Sequence, residues 1–238
     1  MNIALIIAGG TGNRMGQDIP KQFLHIDGAP IIIQTMLCFQ KHPDINVIAV
    51  VCLKGWETVL QSYAKQFNVN KLMHIYPGGE TGMESISNGI YGLQDDGYQD
   101  DDLVLIHDSV RPLLSQDIIS NNIAICKAYG YAITGIQCRE AILKSEDGFA
   151  STTSIPRDTL IRTQTPQTFR LRNIINVHEE AKAKGITNSV ASCTLIAEIG
   201  GREMHIVPGS EKNIKITTTE DMEILKALMH SHKEDWLK

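Results

Sequence analysis

The chain has 238 residues, 42% of them hydrophobic and 21% charged, which is ample material for a large core. Its net charge of −5 argues against general nucleic-acid binding, which needs a basic surface to displace counterions. No apolar run approaches the ~18 residues of a membrane span, and the N-terminus reads as a strand, not as the basic leader of a secretory signal.

In chain order, strands and helices alternate at the spacing of βαβ units. Ile3 to Ile7 is an apolar run that predicts a buried strand. Pro30 to Lys41 has helical periodicity, with Pro30 suited to a first turn. Asn46 to Cys52 predicts a strand covered on both faces, Trp56 to Phe67 a second amphipathic helix, and Lys71 to Tyr76 a strand ending at Pro77-Gly78-Gly79. Ser85 to Leu93 predicts a helix, and Asp95 to Asp102 a solvated acidic loop. Leu103 to Ile106 is the next buried strand, followed by a helix from Ser115, its N-cap, to Tyr129. Ala132 to Ile136 predicts another strand.

There the rhythm changes. Residues 137–157 hold short β-prone pieces around Ser145-Glu146-Asp147-Gly148, the pattern of a hairpin arm. The arm has too little apolar material for a core of its own and calls for a surface to rest on, such as a second subunit. Beyond it, Leu171 to Lys184 and Ser189 to Ile199 predict helices, and Met204 to Val207 and Ile214 to Ile216 strands. Thr219 to His230 predicts a last helix with an acidic first turn. The whole reads as a single domain over 1–238 with a mainly parallel sheet, whose ligands sit beyond the carboxyl ends of the strands. Gly9, Gly78 and Asp108 fall there.

The first loop carries the chemistry. Ala8-Gly9-Gly10-Thr11-Gly12-Asn13-Arg14-Met15-Gly16 leads into Ile19-Pro20-Lys21-Gln22. Glycines let the main chain approach an anion closely, and Arg14 and Lys21 add charge that backbone dipoles alone lack. The expected ligand is rich in phosphate. A dinucleotide fingerprint fails, because Met15 stands where a third glycine belongs and Leu53-Lys54 replaces an acidic residue after the second strand. A P-loop fails too, since Gly16 precedes Gln17-Asp18. Cys38, Cys52, Cys126, Cys138 and Cys193 are scattered and read as reduced thiols of a cytosolic protein. His107 reads as structural, and the remaining histidines show no metal-ligand spacing.

Further motifs occur in order: Gly78-Gly79, His107-Asp108 with Arg111-Pro112, Thr165-Pro166-Gln167, and Asn213-Ile214-Lys215-Ile216-Thr217. With the glycine loop, they make the chain resemble the cytidylyltransferases that couple CTP to a sugar-alcohol phosphate, such as 2-C-methyl-D-erythritol 4-phosphate and ribitol-5-phosphate cytidylyltransferases. The resemblance runs from the first strand to the last helix. It implies a Rossmann-like, three-layer α/β nucleotidyltransferase fold, a cytoplasmic enzyme, and a place in isoprenoid or teichoic-acid and capsule precursor synthesis. It implies that Arg14 and Lys21 stabilise the triphosphate while Arg157 and Lys215 hold the attacking phosphate. Ala8, Gly9, Gly10, Gly12, Gly79, Ser85, Asp108 and Ser109 would bind nucleotide. Asp108, Arg111, Arg139, Arg157, Thr165 and Lys215 would bind acceptor, with Asp108 also carrying Mg²⁺. The 137–157 arm would pair two subunits into a homodimer. Three positions depart from the pattern: Ala141 for a threonine, Asn188-Ser189 for two acidic residues, and Gly82 for an arginine. A non-catalytic sensor of nucleotide or polyol phosphate is the alternative from another class.

Overall fold

A computed structural model describes residues 1–10 and 19–230. Gly12 and Arg14 lie outside the described residues. The strands are β1 (Asn2–Ala8), β2 (His25–Ile26), β3 (Ala29–Pro30), β4 (Val47–Cys52), β5 (Leu72–Pro77), β6 (Leu103–Asp108), β7 (Tyr131–Gln137), β8 (Ile142–Lys144), β9 (Thr153–Ile155), β10 (Ile161–Arg170) and β11 (His205–Pro208). The helices are α1 (Ile31–Gln40), α2 (Glu57–Gln66), α3 (Gly82–Asp95), α4 (Gln116–Tyr129), α5 (Leu171–Ala183), α6 (Ser192–Ile199) and α7 (Thr219–His230).

Seven strands form the central sheet in the order β11-β7-β10-β6-β1-β4-β5. All neighbours are parallel except β10, which runs antiparallel to both β6 and β7. Successive side chains of β1 alternate between two cores, as the period of a strand demands. Ala4 and Ile6 pack with α1, α2 and α4; Ile3 and Leu5 pack with α3, α5 and α6. The expected three layers and mainly parallel sheet are present. A third, smaller cluster joins Ile26, Ile31, Val110, Ile216 and Leu225 of α7.

Several expectations fail, among them the solvated acidic loop, since Asp95 ends α3 and Asp102 is buried. Ile161–Arg170 is a ten-residue strand that its sequence did not announce, with an irregularity between Thr163 and Gln167. Ile214 to Ile216 is not a strand: Ile216 is buried in the third cluster and donates its N–H to the Val110 carbonyl at 3.0 Å. Helix α3 also starts three residues before the expected Ser85, because the Thr81 hydroxyl caps it by accepting from the Glu84 N–H at 3.1 Å. Helix α6 starts three residues after the expected Ser189.

The register places the loops after β1, β4 and β6 at one edge. Ile7 pairs with Asp108 and Ala8 with Cys52, so β1, β4 and β6 end level. The hairpin β8–β9 forms the expected arm, with Leu143 and Phe149 exposed on it.

Candidate active site

At the carboxyl edge, two loops touch backbone to backbone. A Cβ on Gly9 would stand 2.7 Å from Ser85 Oγ and 3.0 Å from Gly78 Cα, and one on Gly78 would meet Gly9 Cα at 2.8 Å. Glycine is needed at both for lack of room. Beneath the first loop, Gln22 is buried, and its side-chain amide donates to the carbonyls of Ala8 and Gly10, each at 2.9 Å. Lys21 precedes it on a single 3-10 turn, Lys21–Phe23, anchored by Phe23 stacked on Trp56 with centroids 4.5 Å apart. The buried Ser85 accepts from the Gly79 N–H at 3.0 Å.

These residues line a chamber of about 450 Å³. Ala8, Gly9, Gly10, Lys21, Gly79, Ser85, Asp108, Ser109 and Lys215 all border it, with Thr81 and Gly82 at the N-terminus of α3. A helix N-terminus, a backbone cradle and two lysines give it the makings of an anion chamber, beside Glu80 and Asp108, which also line it. A second chamber of about 240 Å³ is lined by Asp108, Arg111, Thr165, Gln167 and Lys215 together with Met83, Ile86, His178, Ser192 and Leu195. Asp108, Lys215, Ile7 and Gly82 border both.

Asp108 is the centre of the shared wall. Its Oδ1 lies 3.0 Å from Lys215 Nζ and its Oδ2 3.0 Å from Arg111 Nε. Burial alone pushes this carboxyl up, but the Lys215 and Arg111 cations outweigh it and hold it at about 2. It is a carboxylate at neutral pH. Its backbone N–H donates to the Thr165 hydroxyl at 3.1 Å. Lys215 is carried between Ile214 and Ile216, packed in the third cluster, so apolar anchors on both sides present one cation.

Neutral amides strap this region together. Arg111 donates to the Asn213 carbonyl at 2.6 Å, and the buried Asn213 amide donates to the Thr165 carbonyl at 2.9 Å. Gln164 donates to the Ser210 carbonyl at 2.8 Å and accepts the Ser210 N–H at 3.3 Å. Sequence reasoning gave Gln22, Gln164 and Asn213 no role. Gln22 and Asn213 do stand inside the quoted motifs, and Gln164 directly precedes Thr165. His107 is fully buried, and burial pushes its imidazole down to about 4. Its Nε2 lies 3.2 Å from the Arg111 carbonyl, a structural position as expected.

Arg139 and Arg157 do not join the others. Both are exposed on the arm, where Arg157 donates to the Arg139 carbonyl at 2.7 Å, and neither lines either chamber of its own chain. Among the described residues no group of three His, Cys, Asp or Glu side chains could hold a metal by itself. Asp108 offers one carboxylate.

Comparison with known proteins gives the arrangement a context. A family model described as 2-C-methyl-D-erythritol 4-phosphate cytidylyltransferase matches residues 2–231. A ribitol-5-phosphate cytidylyltransferase of Lacticaseibacillus paracasei is 36% identical over 231 residues, 96% of this chain and 98% of that protein. One from Streptococcus agalactiae serotype III is 37% identical over 236 residues, 99% and 98% of the two chains. A 2-C-methyl-D-erythritol 4-phosphate cytidylyltransferase of Clostridium botulinum is 38% identical over 222 residues, 93% and 94%. Among solved structures, 4-diphosphocytidyl-2C-methyl-D-erythritol synthase from Anaerococcus prevotii shares the fold, with a TM-score of 0.81 at 22% identity over 97% and 99% of the chains. The Francisella tularensis 2-C-methyl-D-erythritol 4-phosphate cytidylyltransferase gives 0.78 at 25% identity over 94% and 98%. With a match this long and relatives this similar over nearly all of both chains, the protein belongs to the 2-C-methyl-D-erythritol 4-phosphate cytidylyltransferase family.

Proposed function

We propose that this enzyme transfers CMP from CTP to a sugar-alcohol phosphate, with ribitol 5-phosphate as the acceptor, releasing pyrophosphate. The observation that carries the reading is the shared wall: Asp108 and Lys215 border both the anion chamber and its neighbour. Two phosphorylated ligands can therefore meet at one cation. The relatives named for ribitol 5-phosphate match 96–99% of this chain. The arm carries Ala141, where the methylerythritol-phosphate pattern has a threonine.

In the reaction, an acceptor phosphate oxygen bonds to the α-phosphorus while the bond from that phosphorus to the α–β bridging oxygen breaks. Pyrophosphate leaves with the electron pair. The attacking oxygen is already ionised, so no general base is required, and a buried neutral His107 is compatible with this. The work left to the protein is to bring two anions together and to stabilise the charge that builds between them. Lys21 supplies charge on the nucleotide side, and Lys215 does so at the junction. Arg14 of the first loop adds a cation by sequence.

Mg²⁺ binds through few protein ligands and mostly phosphate oxygens, and the single ionised Asp108 suits that preference. When bound, the ion would neutralise triphosphate oxygens. The exposed Leu143 and Phe149 of the arm, and the distance of Arg139 and Arg157 from their own chambers, support a homodimer in which each arm serves the partner's cleft. Five cysteines without a disulfide accord with a cytoplasmic enzyme.

Pyrophosphate release from CTP, measured with ribitol 5-phosphate, 2-C-methyl-D-erythritol 4-phosphate and glycerol 3-phosphate, tests the reading. Ribitol 5-phosphate should give the highest kcat/KM. Tight CTP binding without turnover of any acceptor would instead make the protein a sensor.

A further inference from the structure

The inner wall of the second chamber carries polar groups that the reaction above leaves unused. Five buried side-chain atoms have no hydrogen-bond partner among the described residues, and two of them, His178 Nε2 and Ser192 Oγ, belong to residues that line this chamber on the α5 and α6 side of the sheet. Folded chains keep such atoms few, and two beside one cavity are groups that an occupant's hydroxyls could pair. The other buried histidine nearby, His107, turns its ring the other way, onto Phe39 with centroids 5.2 Å apart, and plays no part here. His178 of α5 and Ser192 of α6 line the chamber, 5% and 3% exposed, along with Met83, Ile86 and Leu195.

An acceptor phosphate that attacks the nucleotide has to stand at Asp108 and Lys215, which border both chambers. Its carbon chain then extends away from the nucleotide, toward α5 and α6. We propose that His178 and Ser192 are specificity-determining residues that hydrogen-bond the acceptor's distal hydroxyls and so select a full-length polyol phosphate over a shorter or deoxygenated one. The proposal rests on the acceptor reading above. Both groups suit a hydroxyl, since a neutral imidazole offers one donor and one acceptor and a serine offers either.

The test compares wild type, His178→Leu and Ser192→Ala with CTP. The acceptors are ribitol 5-phosphate, 2-C-methyl-D-erythritol 4-phosphate, and the analogue of each that lacks the hydroxyl farthest from the phosphate. Wild type should use its preferred acceptor with a KM about tenfold below that of the deoxy analogue, the scale of one hydrogen bond to a buried group. Each variant should lose most of that preference, keep its KM for CTP, and melt no lower than wild type because it removes an unpaired buried atom. An equal rise in KM for parent and deoxy analogue, or unchanged KM values in both variants, would overturn the proposal. So would a wild type that uses the two acceptors alike, a result that needs no variant to fold. A wild type that turns over no alditol phosphate overturns the acceptor reading itself, and is distinct from these results because no comparison between acceptors then exists.

Discussion

Replacing Asp108 by Asn tests the electrostatics of the shared wall directly. The carboxyl moves from an ordinary 3.8 to about 2 on folding, because Lys215 and Arg111 outweigh its burial. A gap of roughly two units, at about 1.36 kcal/mol each, favours the folded anion by on the order of 2 kcal/mol. Asn keeps the shape and one acceptor, loses the charge, and turns an NH₂ toward a cation. Urea unfolding at pH 7 should therefore show Asp108→Asn less stable by on the order of 2 kcal/mol. Because the folded value lies below the unfolded one, this contribution is complete above about pH 5 and is lost as pH falls through 3.8 toward 2. The two proteins should converge near the acid end. Equal midpoints at pH 7, or a difference that persists undiminished at about pH 2, would refute the reasoning.

Gly9→Ala forces a Cβ to within 3.0 Å of Gly78 Cα and should cost about 1–3 kcal/mol in thermal or urea unfolding. Adding Ser85→Ala should relieve only part of this, since the backbone contact remains. Lys21→Ala should lower kcat about 10²–10³-fold with the melting temperature unchanged, and an unaltered kcat would remove Lys21 from the mechanism. Arg157→Ala should raise the KM for the acceptor; mixed with Lys21→Ala, it should recover about a quarter of the wild-type rate if each arm serves the partner. No recovery on mixing would return Arg157 to its own subunit. Burial holds His107 and His178 at about 4, below an ordinary 6.5, so the unfolded chain binds more protons between these values. Stability should fall as pH drops from 6.5 toward 4, and His178→Leu should remove up to about 1.4 kcal/mol per pH unit of that slope in urea titrations.

The sheet was legible where both faces of a strand are covered. The runs ending at Ile7, Cys52 and Ile106 are continuous and apolar because helices pack on both sides, and β1, β4 and β6 include them. β10 escaped because Thr163-Gln164-Thr165-Pro166-Gln167 has the composition of a loop. Pairing with β6 and β7, which no local preference encodes, makes it a strand. Ile214-Lys215-Ile216 misled for the opposite reason. Alternating apolar residues look like a strand, but here they are two anchors flanking one presented cation. Lys21 and the first-loop glycines could be read from charge and spacing and Asp108 from its place after a buried strand, while Lys215 came only with the family resemblance. Gln22, Gln164 and Asn213 could not, since an uncharged amide acquires its role only from the carbonyls that folding brings to it.

A partition whose two faces belong to different compartments makes each compartment sensitive to the contents of the other. A polyanion drawn to Lys215 from one side competes with Asp108 for that ammonium, and so alters the field met by whatever enters from the other side. Thermodynamic linkage makes the influence mutual: the factor by which one ligand changes its neighbour's affinity is the factor by which it is changed in return.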